Sequence, residues 1–272
     1  MPQEVIDGAM SGTRCQGGED LLVVSGLTAS AGKKELLHGI DLTLGHGECH
    51  VLMGPNGAGK STLGHVIMGD PAYVVGSGSV VLDGQDLTHA TPDVRSLAGI
   101  FLSWQAPVEV PGVQLYSFLR TICQKRPELK MGGRAFRAHL SELCARLDMD
   151  ESWLTRDLNV GFSGGERKKV EMLQLLLLRP KLAILDETDS GLDVDALGVV
   201  SAGIEAYRAD CAGTLLVITH NTRILERLDV DRTHVMVDGR LVAEGDASLI
   251  GRIDAEGFER LEASVPQMAA SL

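Results

Sequence analysis

The strongest chemical signal in the sequence is a glycine-rich segment, residues 54–62, with the spacing G-x-x-x-x-G-K-S. It follows an apolar run, Cys49–Met53, that predicts a buried strand, and it precedes an apolar stretch that predicts a helix over 63–68. Glycines let successive backbone N–H groups face phosphate oxygens, and the positive end of the helix points at the same anion. The sequence therefore predicts a loop that binds the phosphates of a nucleoside triphosphate. Its residues are Gly54, Pro55, Asn56, Gly57, Ala58, Gly59, Lys60, Ser61 and Thr62.

Two side chains of this loop carry specific chemistry. We expect Lys60 to reach the β- and γ-phosphates and to act in catalysis, and we expect the Ser61 hydroxyl to ligate Mg²⁺. The alternative is a glycine-rich strand-to-helix turn without a ligand. The predicted strand before the loop and the predicted helix after it favour the phosphate site.

A second cluster is a pair of carboxylates, Asp186 and Glu187, directly after the apolar run 182–185. In a nucleotide-binding sheet, the end of such a strand lies beside the phosphate loop. Asp186 would then hold Mg²⁺, usually through water, and Glu187 would orient or deprotonate the water that attacks the γ-phosphate. The alternative is that these residues merely end a strand and cap the next helix. The presence of Lys60 in the same chain favours the catalytic interpretation.

A third motif, Ser163, Gly164, Gly165 and Glu166, opens an apolar helix. The pattern S-x-x-E is a capping box, in which the two side chains satisfy free N–H groups of the helix. A helix that begins with two glycines also leaves N–H groups open to an anion, so both interpretations hold together. Because the loop 54–62 can already enclose a triphosphate, this motif is predicted to complete the pocket of another chain.

His220 follows a predicted inner strand, Thr214–Ile218, from which it can reach the γ-phosphate as a hydrogen-bond donor. A lone histidine is more often an ordinary surface residue. Its place at the end of an inner strand favours the catalytic role.

Composition indicates an ordinary globular protein without a membrane span. The chain has 272 residues, of which 44% are hydrophobic and 23% charged, and a formal net charge of −12, which disfavours non-specific binding to nucleic acid or anionic membranes. The acidic first twenty residues match neither a signal peptide nor a transit peptide. Five scattered cysteines form neither a disulfide framework nor a metal motif, and we expect adjacent Cys49 and His50 to pack in the core. A reducing, cytoplasmic location is predicted.

Strand and helix signals alternate along most of the chain, which predicts a mostly parallel sheet covered by helices. Apolar runs at 21–27 and 40–44 predict an antiparallel β flap ahead of the phosphate loop. Residues 106–163 contain helix-like spacing at 115–123 and 135–147 without strand signals, and predict a helical subdomain. We therefore expect a disordered start at 1–20, a nucleotide-binding catalytic core at 21–105 and 164–262, the helical subdomain between them, and a tail at 263–272.

Together these motifs resemble the ATP-binding-cassette (ABC) ATPases over residues 21–262. The resemblance rests on 54–62, Gln105, 163–166, Asp186 with Glu187, S-G-L-D at 190–193, and His220. It implies an α/β fold with a mixed nucleotide-binding sheet, an antiparallel β flap and a helical subdomain. It also implies that two chains bind ATP and Mg²⁺ head to tail. Gln105 would sense Mg²⁺ and the γ-phosphate, Ser163, Gly164 and Gly165 would contact the partner's ATP, and Asp193 would couple the two sites.

Within that family, three stretches resemble the SufC-type ATPases of the Suf iron–sulfur cluster assembly system. They are W-Q-A-P-V-E-V-P-G at 104–112, N-V-G-F-S-G-G-E at 159–166 and D-E-T-D-S-G-L-D-V-D-A-L at 186–197. Transporter subunits usually have Leu-Ser-Gly-Gly-Gln where this chain has Phe162 to Glu166. They also tend to have Pro at the position of Thr188.

This closer resemblance implies an ATPase that docks on SufB- and SufD-like scaffold proteins and reshapes them by ATP-driven dimerisation. The helical subdomain and the segment around Gln105 would form the docking surface. One alternative is the ATP-binding subunit of an ABC membrane transporter. Another is a nucleotide-dependent switch with little hydrolysis.

Overall fold

The computed structural model describes residues 20–104, 107–188, 192, 194–220 and 222–258. The expected disordered start lies outside these residues except for Asp20, and the expected tail at 263–272 also lies outside them. Gln105 and Asp193 fall in the gaps. Among the described helices, none is long and apolar enough to cross a bilayer.

Twelve strands and seven α-helices alternate along the described part of the chain. The strands are β1 (Asp20–Ala31), β2 (Lys34–Gly45), β3 (Cys49–Met53), β4 (Val74–Leu82), β5 (Gln85–Asp86), β6 (Ile100–Ser103), β7 (Val110–Gln114), β8 (Asp157–Leu158), β9 (Leu182–Asp186), β10 (Thr214–Ile218), β11 (Arg232–Val237) and β12 (Arg240–Gly245). The helices are α1 (Lys60–Met68), α2 (Pro92–Ala98), α3 (Leu115–Lys125), α4 (Gly133–Arg146), α5 (Gly164–Leu178), α6 (Val194–Cys211) and α7 (Ser248–Glu256).

The central sheet has the order β12-β11-β3-β10-β9-β6. Its strands pair in parallel except for the β11–β12 hairpin. Strands β3, β9 and β10 are buried along their whole length, as continuous apolar runs in a sheet covered on both faces should be. The predicted mixed α/β sheet is confirmed.

A second sheet, with the order β2-β1-β4-β5, is antiparallel throughout. It confirms the β flap predicted ahead of the phosphate loop. Its inner face joins α1 and one face of the central sheet in a buried cluster that includes Leu22, Leu63, Ile184 and Leu216. The flap therefore covers the face of the sheet on which α1 lies.

The opposite face of the central sheet packs against α5 and α6. Val51, Leu185 and Val217 of the sheet join Leu173 of α5 and Ile204 of α6 in one buried cluster. Neighbouring residues of a strand point to opposite faces, so each inner strand contributes side chains to both cores. Packing in these two cores holds the strands in register and so fixes where each strand ends.

The segment 107–163 contains the predicted helices, as α3 and α4, but also a short antiparallel pair, β7 with β8. No strand is predicted there from the sequence because β7 contains Pro111 and Gly112 and β8 has only two residues. The Gly112 N–H donates to Asp157 Oδ2 at 2.8 Å. Leu119 and Leu140 join the same buried cluster as α5, so the helices of this segment pack on the core of the central sheet.

Arg95 of α2 fixes the C-terminal end of α1. Its side chain is 2% exposed, and its guanidinium donates to four backbone carbonyls at 2.8–2.9 Å. Two of them, those of Val66 and Ile67, belong to the last turn of α1, where carbonyls lack helical partners and favour a positive charge. The accepting residues are Val66, Ile67, Thr88 and Ala90.

We predict that Arg95→Met lowers the free energy of unfolding by about 3 kcal/mol, because several buried carbonyls lose the hydrogen bonds that Arg95 donates to them. Urea unfolding followed by circular dichroism measures the change. Arg137→Met, at an exposed position of α4, is the matched control and should change stability little. Equal effects of the two substitutions would contradict the role of Arg95.

Candidate active site

The carboxyl ends of three parallel strands bring the predicted chemical residues to one edge of the sheet. Ile218 of β10 is in register with Leu52 of β3 on one side and with Asp186 of β9 on the other. The segments after these strands therefore leave the sheet side by side. They surround a cavity of about 360 Å³. Its lining is Leu36, Asn56, Gly57, Ala58, Gly59, Lys60, Ser61, Thr62, Glu187 and His220.

Two glycines of the loop 54–62 are required by the backbone itself. Gly54 has φ +156°, and a Cβ there would lie 2.1 Å from the carbonyl oxygen of Met236 in β11. Gly59 has φ +103° and is the N-cap of α1. Both conformations disfavour any residue with a side chain. The loop can therefore lie against β11 and start α1 at Lys60, with the positive end of the helix at the cavity.

Lys60 is folded back onto its own loop. Its side chain is largely buried, and Nζ donates to the carbonyl oxygens of Gly54 at 2.8 Å and Pro55 at 2.9 Å. Burial lowers the pKa of Lys60, while the nearby charges of Glu187 and Asp186 raise it. The ammonium group is held at the cavity by weak acceptors that anionic phosphate oxygens can replace.

Asp186 lies directly behind the loop and is 1% exposed. Ser61 Oγ donates to Asp186 Oδ1 at 3.1 Å, whereas Asp186 Oδ2 is buried and has no hydrogen-bond partner among the described residues. Burial raises the pKa of this carboxyl, and the hydrogen bond from Ser61 lowers it. An orphaned carboxylate oxygen next to a hydroxyl is a donor set that suits a hard divalent cation such as Mg²⁺. Ser61 and Asp186 therefore fit the predicted metal.

Glu187 and His220 form one wall of the cavity. Glu187 Oε1 lies 3.2 Å from His220 Nδ1, and the Glu187 side chain is 14% exposed while that of His220 is 51% exposed. The Glu187 backbone has φ +46°, a left-handed conformation that costs a non-glycine residue free energy, and its N–H donates to Ile218 O at 2.8 Å. Strain at a cavity wall is a feature of functional sites, and here it directs a carboxylate toward the phosphate loop.

The motif at 163–166 begins α5 and does not line this cavity. Its capping box is complete, with the Ser163 N–H donating to Glu166 Oε2 at 2.7 Å and the Glu166 N–H donating to Ser163 Oγ at 3.3 Å. Gln105 and Asp193, the other two predicted site residues, lie outside the described residues. Within one chain, the described structure thus brings together the loop 54–62, Asp186, Glu187 and His220, but not the motif at 163–166.

A buried ion pair that the sequence analysis missed lies beside the position of Gln105. Lys168 Nζ of α5 is 2.7 Å from Glu171 Oε2, with both side chains under 10% exposed. Glu171 Oε2 also accepts from Ser103 Oγ at 3.1 Å, and Lys168 Nζ donates to the carbonyl oxygen of Trp104. Burial raises the pKa of Glu171. The sequence signal that could have predicted this pair is the spacing of Lys168 and Glu171, opposite charges at i and i+3 of a helix that is otherwise largely apolar.

Cys49 and His50 differ in their surroundings. Cys49 packs in the core, where burial raises the pKa of its thiol to about 12. His50 is also buried, but it is hydrogen-bonded to Glu48 at 2.8 Å and to His234 at 2.9 Å. Among the described residues, no group of three or more His, Cys, Asp or Glu side chains could hold a metal ion.

Comparisons with known proteins agree with this geometry. A family model described as ABC transporter matches residues 37–190. A probable ABC transporter ATP-binding protein of Streptococcus pyogenes is 46% identical over 88% of this chain and 93% of its own length. The corresponding values are 45%, 88% and 92% for vegetative protein 296 of Bacillus subtilis, and 42%, 89% and 97% for the probable ATP-dependent transporter ycf16 of Pyropia yezoensis.

Solved structures share the fold at low sequence identity. A nucleotide-free ATP-binding cassette from an ABC transporter has a TM-score of 0.71 at 22% identity and covers 88% of this chain and 96% of its own. A dimeric cassette in a post-hydrolysis state, bound to ADP and phosphate, has a TM-score of 0.71 at 19% identity and covers 83% and 98%. This chain belongs to the ABC family of ATP-binding proteins, and its described fold is that of an ABC ATPase cassette.

Proposed function

We propose that the chain is a cytoplasmic, Mg²⁺-dependent ATPase that serves as the ATPase subunit of an iron–sulfur cluster assembly complex. The observation that carries the ATPase part is the convergence of Lys60, Glu187 and His220 on one cavity, with Asp186 buried behind it. In this proposal, residues 21–105 and 164–262 form the catalytic core, and 106–163 form the helical subdomain.

The loop would receive the β- and γ-phosphates of ATP at the start of α1. Lys60 Nζ would exchange the carbonyls of Gly54 and Pro55 for phosphate oxygens, a stronger pairing because the acceptors are charged. Ser61 and Asp186, together with Gln105, would hold Mg²⁺. When bound, Mg²⁺ supplies positive charge that offsets the negative charge developing on the phosphate oxygens.

Glu187 would orient the attacking water and accept its proton, because its carboxylate faces the same cavity as the phosphate loop. His220 would donate a hydrogen bond to the γ-phosphate. Its contact with Glu187 Oε1 holds the two side chains side by side before ATP binds. The role of His220 requires that its ring turn one nitrogen toward the phosphate.

A second copy of the chain would complete the site. The motif Ser163, Gly164, Gly165 and Glu166 stands outside the cavity of its own chain, and its capping box does not use the N–H groups of Gly164 and Gly165, which would be available to ATP held by a partner. A head-to-tail dimer places each such motif opposite the phosphate loop of the other chain. Asp193 would couple the two sites.

The assignment to iron–sulfur cluster assembly rests on the resemblance of 104–112, 159–166 and 186–197 to SufC-type ATPases. The partners would be SufB- and SufD-like scaffold proteins. Three apolar side chains flank the position of Gln105 and are exposed, namely Trp104 at 43%, Val108 at 71% and Val113 at 37%. A contiguous exposed apolar patch marks a protein-binding surface, and the closeness of these three side chains along the chain is what supports such a surface here. The names of several relatives, such as probable ABC transporter ATP-binding protein, instead favour an ABC transporter subunit as the second candidate.

We predict that Glu187→Gln lowers ATP turnover at least about a hundredfold while ATP binding is retained, because the amide cannot accept the water proton. Lys60→Ala is the contrasting variant and should weaken ATP binding itself. Phosphate release and equilibrium binding of a fluorescent ATP analogue separate the two effects. Unchanged turnover in Glu187→Gln would favour the switch with little hydrolysis.

We predict that Asp186→Asn raises the melting temperature of the nucleotide-free chain by about 3 °C at pH 8, because it removes a buried charge. The pKa of Asp186 is raised in the fold, so the stability that its protonated form provides is lost as the pH rises through that pKa. The difference in melting temperature between the variant and the wild type should therefore decrease as the pH falls. Added Mg²⁺ with ATP should stabilise the wild type and not the variant. A variant that gains as much from Mg²⁺ with ATP as the wild type would remove Asp186 from the metal site.

We predict that Val108→Asp abolishes co-purification with co-expressed SufB- and SufD-like proteins, because it places a charge in an apolar contact. Val74→Asp is the matched control, since Val74 is also an exposed valine, at 61%, but lies in the flap. If the wild-type chain instead co-purifies with a membrane permease and with no scaffold protein, that result would support the transporter subunit.

A further inference from the structure

The loop ahead of α5 is held by the side chain of Arg156, a residue that the sequence analysis did not single out. Its guanidinium carbon lies 3.9 Å from the centroid of the Phe162 ring. Nη2 donates to the carbonyl oxygen of Gly161 at 3.0 Å, and Nη1 lies 3.7 Å from Glu166 Oε1. One side chain thus contacts the backbone, the ring and the carboxylate that surround Ser163.

The backbone of Arg156 is itself well anchored. Its N–H donates to Trp153 O at 3.0 Å, and its carbonyl accepts from the Leu115 N–H at 2.9 Å at the start of α3. The Trp153 ring also packs edge-on against Phe162, with centroids 5.6 Å apart. Arg156 therefore holds the loop from a fixed base.

The two side chains that Arg156 contacts are the two positions at which this motif departs from the transporter pattern Leu-Ser-Gly-Gly-Gln. Phe162 stands in place of Leu and offers a ring face to the guanidinium, and Glu166 stands in place of Gln and offers a carboxylate. The departures are thus linked through one residue. A leucine has no ring face and a glutamine has no negative charge, so the transporter pattern would offer Arg156 neither the cation–π contact nor the ion pair.

The carboxylate of Glu166 poses an electrostatic problem for the proposed site. A negative charge in the first turn stabilises α5, but it also repels a phosphate that approaches the same helix end. Arg156 brings a permanent positive charge to that carboxylate. The two side chains are partly exposed, Arg156 at 36% and Glu166 at 28%, so an anion that approaches the helix end from solvent can come close to both. The pair presents less net negative charge to a phosphate than Glu166 alone would.

We propose that Arg156 is a positioning residue that neutralises Glu166 and fixes Phe162, so that the motif can accept the phosphates of ATP bound to a second copy of the chain. This inference rests on the proposed head-to-tail ATPase. It assigns Arg156 no contact with the ATP of its own chain, because neither Arg156 nor the motif lines that cavity.

The test measures ATP-driven dimerisation by sedimentation velocity, with Glu187→Gln as the parent so that ATP persists. ATP binding to the monomer is measured separately with a fluorescent analogue at low protein concentration. Four variants are compared in the parent: Arg156→Ala, Arg156→Lys, Glu166→Gln, and Arg156→Ala combined with Glu166→Gln. Glu166→Gln retains an acceptor for the Ser163 N–H and so preserves the cap.

Arg156→Ala should weaken ATP-driven dimerisation about tenfold, through the uncompensated charge of Glu166, and leave monomer binding of ATP unchanged. Combining it with Glu166→Gln should restore most of the dimer, because the repelling charge is gone. Arg156→Lys should fall between, since it keeps the charge but loses the planar stack on Phe162. Added salt should reduce the difference in dimer affinity between Arg156→Ala and the parent, because it screens the charge of Glu166.

Three results would overturn the inference. The first is that Arg156→Ala weakens dimerisation equally with and without Glu166→Gln. The second is that Arg156→Ala weakens ATP binding by the monomer. The third is that Arg156→Ala dimerises with ATP as strongly as the parent. A merely structural role would leave the double variant at least as impaired as Arg156→Ala, so recovery by Glu166→Gln separates the two explanations. If the parent itself fails to dimerise with ATP, the proposed function fails first.

Discussion

The register of β10 between β3 and β9 is the constraint on which the site depends. Ile218 is opposite both Leu52 and Asp186, so the phosphate loop, Glu187 and the segment that carries His220 leave the sheet at one level. A shift of one residue would turn every side chain of β10 to the other face. Such a shift is costly here, because Leu216 and Val217 are buried in the two different cores.

Buried charges in this protein fall into two groups according to how fully their neighbours satisfy them. Arg95 has four carbonyl acceptors, and Lys168 has the carboxylate of Glu171, so these charges stabilise the junctions between elements. Among the described residues, the hydrogen-bond acceptors of Lys60 are two neutral carbonyls of its own loop, and Asp186 accepts one hydrogen bond, from Ser61, while its other carboxylate oxygen has no hydrogen-bond partner. A ligand of opposite charge lowers the free energy of the second group, and that difference separates binding groups from structural ones.

Much of the fold could be predicted because its signals are local. Continuous apolar runs predicted β3 and β10 with their observed ends, and parallel strands then placed Glu187 and His220 beside the phosphate loop. Thr222–Arg227 forms a 3₁₀ segment, a short stretch for which apolar spacing alone does not distinguish a 3₁₀ helix from an α-helix. Leu36 at the cavity, the His50–His234 pair and the contacts of Arg156 depend on tertiary packing. Apolar periodicity cannot report such contacts. The roles of Gln105 and Asp193 stay predictions.

Helix α5 connects two places that nucleotide would occupy in the proposed dimer. Its N-terminus would face the partner's phosphates. One and two turns further along, Lys168 donates to Trp104 O and Glu171 accepts from Ser103 Oγ, and these two residues immediately precede Gln105. Arg167 adds a second link to the same segment through Glu109. Because two hydrogen bonds and the Arg167–Glu109 ion pair tie the described residues on both sides of Gln105 to α5, a displacement of Ser103, Trp104 and Glu109 would act on the start of α5. Coupling between sites requires an element whose position both sites bias, and α5 has the contacts for that role.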